Sequence, residues 1–162
     1  MDADGQEGQR VLIRAAPPHD GEQVRNISTA SGRDSWNPSV LVVAPGRLVV
    51  VAEVAGELVG AAKTHFHGRP DGDVPAGRYL GGVMVTPAHR RQGVAFALTQ
   101  ARLEWIYSYT DCAYYFANEH NTASIRLHEQ FCFHPLGSFA EIHGVTADNG
   151  RSKLILFKAS RG

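Results

Sequence analysis

Val83-Met84-Val85-Thr86-Pro87-Ala88-His89-Arg90-Arg91-Gln92-Gly93-Val94-Ala95-Phe96 carries an apolar run into a helical pattern through a short loop with two arginines and a glycine. A helix starting there presents backbone N–H groups that have no intrahelical acceptor, at the positive end of its dipole. Gly93 and Ala95 lack bulk, so a phosphate can come close to the backbone, and Arg90 and Arg91 add charge beside it. The chemistry this spacing predicts is the holding of a phosphate or diphosphate, although the same pattern also opens helices that bind nothing. Two competing phosphate motifs are missing from the sequence: G-x-x-x-x-G-K-[ST], and G-x-G-x-x-G between a strand and a helix.

Histidine supplies the other candidate chemistry, with eight in the chain. His65 and His67 would share one face of a strand, which invites a metal reading. No H-E-x-x-H or comparable ligand spacing accompanies them, so the expectation is no metal. Cys112 and Cys132 lack C-x-x-C spacing and read as reduced packing residues of a cytoplasmic protein.

The elements that must position these residues follow from the pattern of the chain. Its 162 residues are enough for one domain with a real core, and 43% hydrophobic with 20% charged is ordinary globular composition. Sixteen basic residues balance sixteen acidic ones, so no nucleic-acid or anionic-membrane surface is expected. The polar N-terminus is not a signal peptide, and no apolar run spans a bilayer. Residues 1–9 read as a flexible tail, Val11-Leu12-Ile13 as a strand, and Gly21 to Pro38 as one or two short helices. Arg47–Val54 and Glu57–His67 flank Ala55-Gly56 as a hairpin, followed by a surface loop and a buried strand at Tyr79–Val85. Val94, Ala97, Leu98, Ala101 and Trp105 follow helical spacing and predict an apolar stripe packed on a sheet. Ala113–Ala117 is a strand, and Asn121 caps a short helix reaching Phe131. Strands at Phe139–Ile142 and Leu154–Phe157 flank an Asp148-Asn149-Gly150 turn. The order predicts an α/β (α+β) domain over 1–162 on one mixed sheet.

Arg90-Arg91-Gln92-Gly93-Val94-Ala95 resembles the [R/Q]-x-x-G-x-[G/A] signature of the GNAT superfamily of N-acetyltransferases. Asn121-Thr122-Ala123-Ser124-Ile125-Arg126-Leu127-His128-Glu129-Gln130-Phe131-Cys132-Phe133 is similar to that family's second segment, commonly N-x-x-[A/S]-x-x-L-Y-x-x-x-G-F, and the resemblance covers roughly 10–158. It implies a single mixed, mostly antiparallel sheet with splayed central strands flanked by helices, and acetyl-CoA as co-substrate. By resemblance, Val83, Met84 and Val85 bond the pantetheine arm, Arg90, Arg91, Gln92, Gly93, Val94, Ala95 and Phe96 surround the diphosphate, and Asn121 touches the cofactor. His128 stands where many members carry the tyrosine that protonates the departing thiolate. It is the candidate catalytic residue, with a structural role alongside. Cys132-Phe133 replaces the usual Gly-Phe, which predicts a different backbone after that helix.

No carboxylate lies within Tyr79–Val85 or Ala113–Ala117, so the sequence leaves the base open among His65, His67, Glu119, His120, His143 and ordered water. The expectation is direct transfer of acetyl to the primary amine of a small molecule, antibiotic or amino-acid-like, in a ternary complex, with no nucleic-acid or membrane partner. The acceptor would meet Gly21–Pro38 and the loop after Ile142. A non-catalytic acyl-CoA-binding module and a homodimer stay open.

Overall fold

The computed structural model describes residues 10–16, 20–30 and 46–162. The expected tail at 1–9 and the 31–38 part of the helical stretch lie outside them. In order come β1 (Val11–Ala15), α1 (Gly21–Ala30), β2 (Val49–Val54), β3 (Glu57–His67), β4 (Gly77–Val85), α2 (Val94–Tyr107), β5 (Cys112–Asn118), α3 (Thr122–Glu129), β6 (His134–Phe139) and β7 (Leu154–Ser160), with 3-10 turns at Pro87–His89 and Asp148–Gly150. The seven strands have the sheet order β1-β2-β3-β4-β5-β7-β6. The pairs β1–β2, β2–β3, β5–β7 and β6–β7 are antiparallel, whereas β4 and β5 pair in parallel at Tyr79↔Tyr114. This is the mixed α/β sheet that the order of elements implied, mostly antiparallel as the resemblance implied.

The chain divides into two compact units. The first takes residues up to Thr64 together with Gly82–Arg102. Its β-branched run packs both ways, because neighbouring strand residues face opposite sides of a sheet. Val49, Val51, Ala61 and Met84 meet Val24 and Ile27 of α1. Val50, Ala52, Val59 and Ala62 meet Val94 and Leu98 of α2. The hairpin turns on Ala55 and Gly56, with φ of 53° and 81°, as a two-residue turn with both residues left-handed requires. Gly60 lies where α2 comes nearest: a Cβ there would sit 3.0 Å from Val94 Cγ1, 3.1 Å from Leu98 Cδ1 and 3.1 Å from the Met84 carbonyl oxygen. A side chain there would require Val94, Leu98 or the Met84 backbone to give by a few tenths of an ångström.

Of the apolar stripe expected on α2, Val94 and Leu98 are buried, but Ala97, Ala101 and Trp105 are half-exposed. Their place is taken by Thr99, Arg102, Leu103 and Ile106, and Arg102 is 0% exposed. Its guanidinium donates to the carbonyls of Leu98 at 3.2 Å and Lys63 at 3.0 Å, and to Thr99 Oγ1 at 3.1 Å. These bonds offset the desolvation that normally keeps arginine outside.

The second unit comprises His65–Gly81 and Leu103–Gly162. Leu80, Ile106, Tyr115, Phe133 and Phe157 make one of its cores, and Val74, Tyr79, Tyr114, Ile142 and Leu156 the other. One strand differs from expectation, since β6 runs His134–Phe139 rather than Phe139–Ile142. Pro135 and Gly137 look like strand breakers, yet β6 is the edge of the sheet, and its register shifts between those two residues. An edge strand with a bulge tolerates both. Cys132 also departs from expectation. With φ of 67° it takes the left-handed conformation that glycine would adopt, and Phe133 N–H bonds the His128 carbonyl at 3.4 Å, closing the helix as a glycine-ended one would close.

Candidate active site

In the first unit β4 ends at Val85 and the chain turns through Pro87–His89 into a tight approach to α2. Side chains fasten this loop to itself. Thr86 Oγ1 and His89 Nδ1 are 3.0 Å apart, Arg90 Nε donates to the Val85 carbonyl at 3.3 Å, and Gln92 Nε2 donates to the Ala88 carbonyl at 3.4 Å. The backbone then bends left-handed twice, at Arg91 (φ 62°) and Gly93 (φ 81°), before Ala97 N–H closes the first helical turn on the Gly93 carbonyl at 3.0 Å. Left-handed residues alternating with ordinary ones turn successive N–H groups toward one side, which makes a concave anion receptor. Here it adjoins the mouth of a 14-residue helix.

Gly93 fits this reading closely. Beyond its chain neighbours, a Cβ built on it meets nothing within 4 Å among the described residues, so its glycine answers to the positive φ and not to crowding by them. Arg91, Gln92, Gly93 and Phe96 are exposed, Ala95 is half-buried and Val94 is buried. Arg90 and Gln92 stand near the cradle but use side-chain atoms to brace it, while Val94 anchors the helix in the core. On β4, Val83 and Val85 are half-buried against the α2 side, and Met84 is buried on the α1 side, where Ser28 Oγ lies 3.2 Å from its sulfur.

The second unit holds Asn121 and His128, and both lean on one residue that the sequence reading passed over. Asn121 caps α3 by accepting the Ser124 N–H at 3.3 Å. The Ser124 carbonyl is 2.7 Å from His128 Nδ1, and Ser124 Oγ is hydrogen-bonded to Tyr115 O–H. A carbonyl only accepts, so Nδ1 carries the hydrogen, and the neutral ring keeps Nε2 as its acceptor nitrogen. His128 is 3% exposed, stacked on Tyr115 with centroids 3.5 Å apart and planes 7° apart, and Phe133 stands edge-on at 5.6 Å. The available signal was the i, i+4 spacing of Ser124 and His128, which lets a helical side chain reach back to a carbonyl one turn earlier.

The remaining base candidates scatter. Glu119 accepts the Lys153 N–H at 2.7 Å, His120 is 73% exposed, and His67 stacks on His143. Among the described residues, no group of three or more His, Cys, Asp or Glu side chains is placed to hold a metal ion. Nor is any of their helices long and apolar enough to cross a membrane.

The acetyltransferase (GNAT) family pattern matches residues 17–133. The chain belongs to this family. As a GNAT acetyltransferase it is a transferase enzyme with acetyl-CoA as co-substrate, and the left-handed cradle before α2 suits that donor's diphosphate. No curated protein sequence matches it. Its fold is similar to the ribosomal-protein-S18-alanine N-acetyltransferase from Escherichia coli (TM-score 0.73, 16% identity, covering 93% of this chain and 94% of that one). It is also similar to a putative acetyltransferase from Salmonella typhimurium with its cofactor acetyl-CoA (0.69, 20%, 94% of each chain) and to a putative phosphinothricin N-acetyltransferase (0.68, 23%, 94% and 99%).

Proposed function

We propose that this GNAT acetyltransferase moves acetyl from acetyl-CoA to the primary amine of a small molecule, antibiotic or amino-acid-like, by direct transfer in a ternary complex. The observation that carries the reading is the pair of left-handed residues, Arg91 and Gly93, at the mouth of α2. In this reading the N–H groups from Arg91 to Phe96 hold the diphosphate, with Arg90 bracing the loop and Arg91 supplying charge. Val83, Met84 and Val85 offer backbone to the pantetheine arm, and the parallel pairing of β4 near its start, at Tyr79, supports leaving those later residues to that task. Asn121 serves the cofactor through the helix start that it caps.

The donor brings an activated thioester, and the protein must orient it and manage protons. We assign to His128 the proton that the departing sulfur needs. Because Nδ1–H is already engaged with Ser124, the ring can donate from Nε2 only in its doubly protonated form. The Tyr115 face stacked on it is suited to that cation. The amine's own proton leaves through water or through one of the dispersed histidines.

The small-molecule acceptor is supported by the balance of sixteen basic and sixteen acidic residues, which provides no large field for a charged macromolecule. Among the similar structures, the putative phosphinothricin N-acetyltransferase points the same way, whereas the ribosomal-protein-S18-alanine N-acetyltransferase points to a protein acceptor. The free thiols of Cys112 and Cys132 support a reducing, cytoplasmic setting. We place the activity in one domain over 1–162. Release of coenzyme A thiol is to be followed over a panel of small amines and of peptides with free N-termini. Turnover confined to small amines is the expected result. Turnover confined to peptides overturns the acceptor assignment, and binding of acetyl-CoA without turnover anywhere on the panel counts against it too.

A further inference from the structure

Two hairpin turns of the second unit are fastened together by a pair of histidines. Ile142 and Val145 exchange backbone bonds of 3.0 and 2.9 Å around His143 (φ 46°) and Gly144 (φ 84°). Asp71 and Val74 exchange two of 2.9 Å in the facing turn. His143 joins the two. Its backbone N–H donates to Asp71 Oδ2 at 2.9 Å, and its Nε2 donates to the Pro75 carbonyl at 3.1 Å. The Tyr79 hydroxyl donates to the same carbonyl at 2.5 Å. His67, on β3, lies flat against the His143 ring with centroids 3.8 Å apart and planes 2° apart, and Tyr79 stands edge-on to both rings at 5.1 and 5.2 Å.

The charges around this stack decide what a proton does to it. The Asp71 carboxylate, already engaged with the His143 backbone, favours one positive charge nearby. The His65 ring is 6.2 Å from His67 along β3. Tyr79 is the phenol that faces the pair, with Tyr114 on β5 beside it at 5.2 Å. Burial raises both phenols, so they stay neutral at every pH where histidine titrates. Burial, and then the nearby His143, hold His67 below the ordinary histidine value. One imidazolium over one neutral ring is a comfortable stack, but two imidazolium rings at 3.8 Å repel each other.

The geometry points to a proton-sensitive clamp: the His67–His143 stack holds the Ile142–Val145 turn on the Asp71–Val74 turn while no more than one ring is protonated, and releases it when the second proton binds. The sign follows from proton uptake. The closed state binds the second proton more weakly than the open one, so closure is complete above the ordinary histidine value of about 6.5 and is lost as pH falls below it. The clamp stands independently of the acetyl-transfer reading, because its test needs neither donor nor acceptor.

The test is amide hydrogen exchange of the full chain from pH 8 to pH 5, corrected for intrinsic rates. Protection of Ile142, His143 and Val145 is expected to fall on the order of tenfold, the equivalent of a one-unit shift, while the β5–β7 amides stay constant. His67→Phe keeps an aromatic stack but cannot be charged, so protection should be high and independent of pH. His143→Asn keeps a residue suited to the left-handed turn but removes the ring, so protection should be low at every pH. Flat protection in the unaltered chain, wild-type pH dependence in His67→Phe, or full protection in His143→Asn each overturns the proposal. Should a variant fail to fold, NMR titration of the two histidine rings in the unaltered chain decides the matter. Two well-separated steps support the clamp, and one common step overturns it.

Discussion

Replacing Gly93 with valine isolates the cradle. Gly93 sits at φ 81°, where any L-residue is strained by about 1–2 kcal/mol and a β-branched one by more. Beyond its own chain neighbours, no atom of the described residues lies within 4 Å of the position a Cβ would take, so the core should stay intact. For a chain of this length, 1 kcal/mol corresponds to about 2–4 °C in Tm, so a fall of about 2–8 °C is expected. The backbone escapes its strain by leaving the left-handed region, which turns one or two N–H groups away from the anion. A hydrogen bond to a charged group contributes about 1.5–3 kcal/mol, so each bond lost weakens acetyl-CoA binding roughly tenfold to a hundredfold. Calorimetry on coenzyme A, together with steady-state kinetics on acetyl-CoA, measures the loss directly. S-acetylpantetheine, which has no diphosphate, is the control, and its kcat/KM should change by less than about twofold, well under the 1.4 kcal/mol of a tenfold effect. Unchanged coenzyme A affinity, or equal loss with both donors, refutes the reasoning.

Other substitutions test neighbouring parts of the argument. Arg91→Gly relieves a left-handed residue but adds backbone freedom of about 0.5–1 kcal/mol, so Tm should hardly move while coenzyme A affinity falls and becomes less sensitive to salt. Cys132→Gly supplies the residue that the end of α3 favours, and since added backbone freedom of about 0.5–1 kcal/mol offsets much of the about 1–2 kcal/mol of relieved strain, Tm should rise by no more than about 2–4 °C in thermal melts. Arg102→Leu strands the Lys63 carbonyl that the guanidinium satisfies and should cost about 1–3 kcal/mol in urea unfolding, with the donor KM moved far less than by Gly93→Val. His128→Phe keeps the stack on Tyr115 and removes the proton, so kcat should drop by about 10²–10⁴ while coenzyme A affinity holds; an unchanged kcat would reduce His128 to packing.

Much of the fold was legible because its signals are local. The hairpin about Ala55-Gly56, the β4–loop–α2 unit and the Asn121 cap each rest on residue types within a few positions of one another. The misses come from partners distant in sequence. Nothing near Arg102 tells that the Lys63 carbonyl, 39 positions earlier, will receive its guanidinium. Nothing near Pro135 tells that the strand has only one neighbour and can spare its ladder bonds. The left-handed Cys132 was hidden for another reason, since a cysteine gives no sign that helix termination has forced it into glycine's conformation. Within the candidate site, the glycine and its arginines were visible from spacing. Of the Tyr115–Ser124–His128 chain only the i, i+4 spacing of Ser124 and His128 was there to read, because stacking across a strand and a helix leaves no period.

Gly60 ties the hairpin to the anion cradle through bulk alone. With Val94 and Leu98 both within 3.1 Å of where its side chain would begin, a methyl group added on β3 would press on the opening turn of α2 and ask its side chains to give by a few tenths of an ångström. The sizes of the residues at positions 60 and 94 are therefore coupled. A homologue bearing alanine at the first should carry a smaller residue than valine at the second, a trade that leaves the start of α2 where it was.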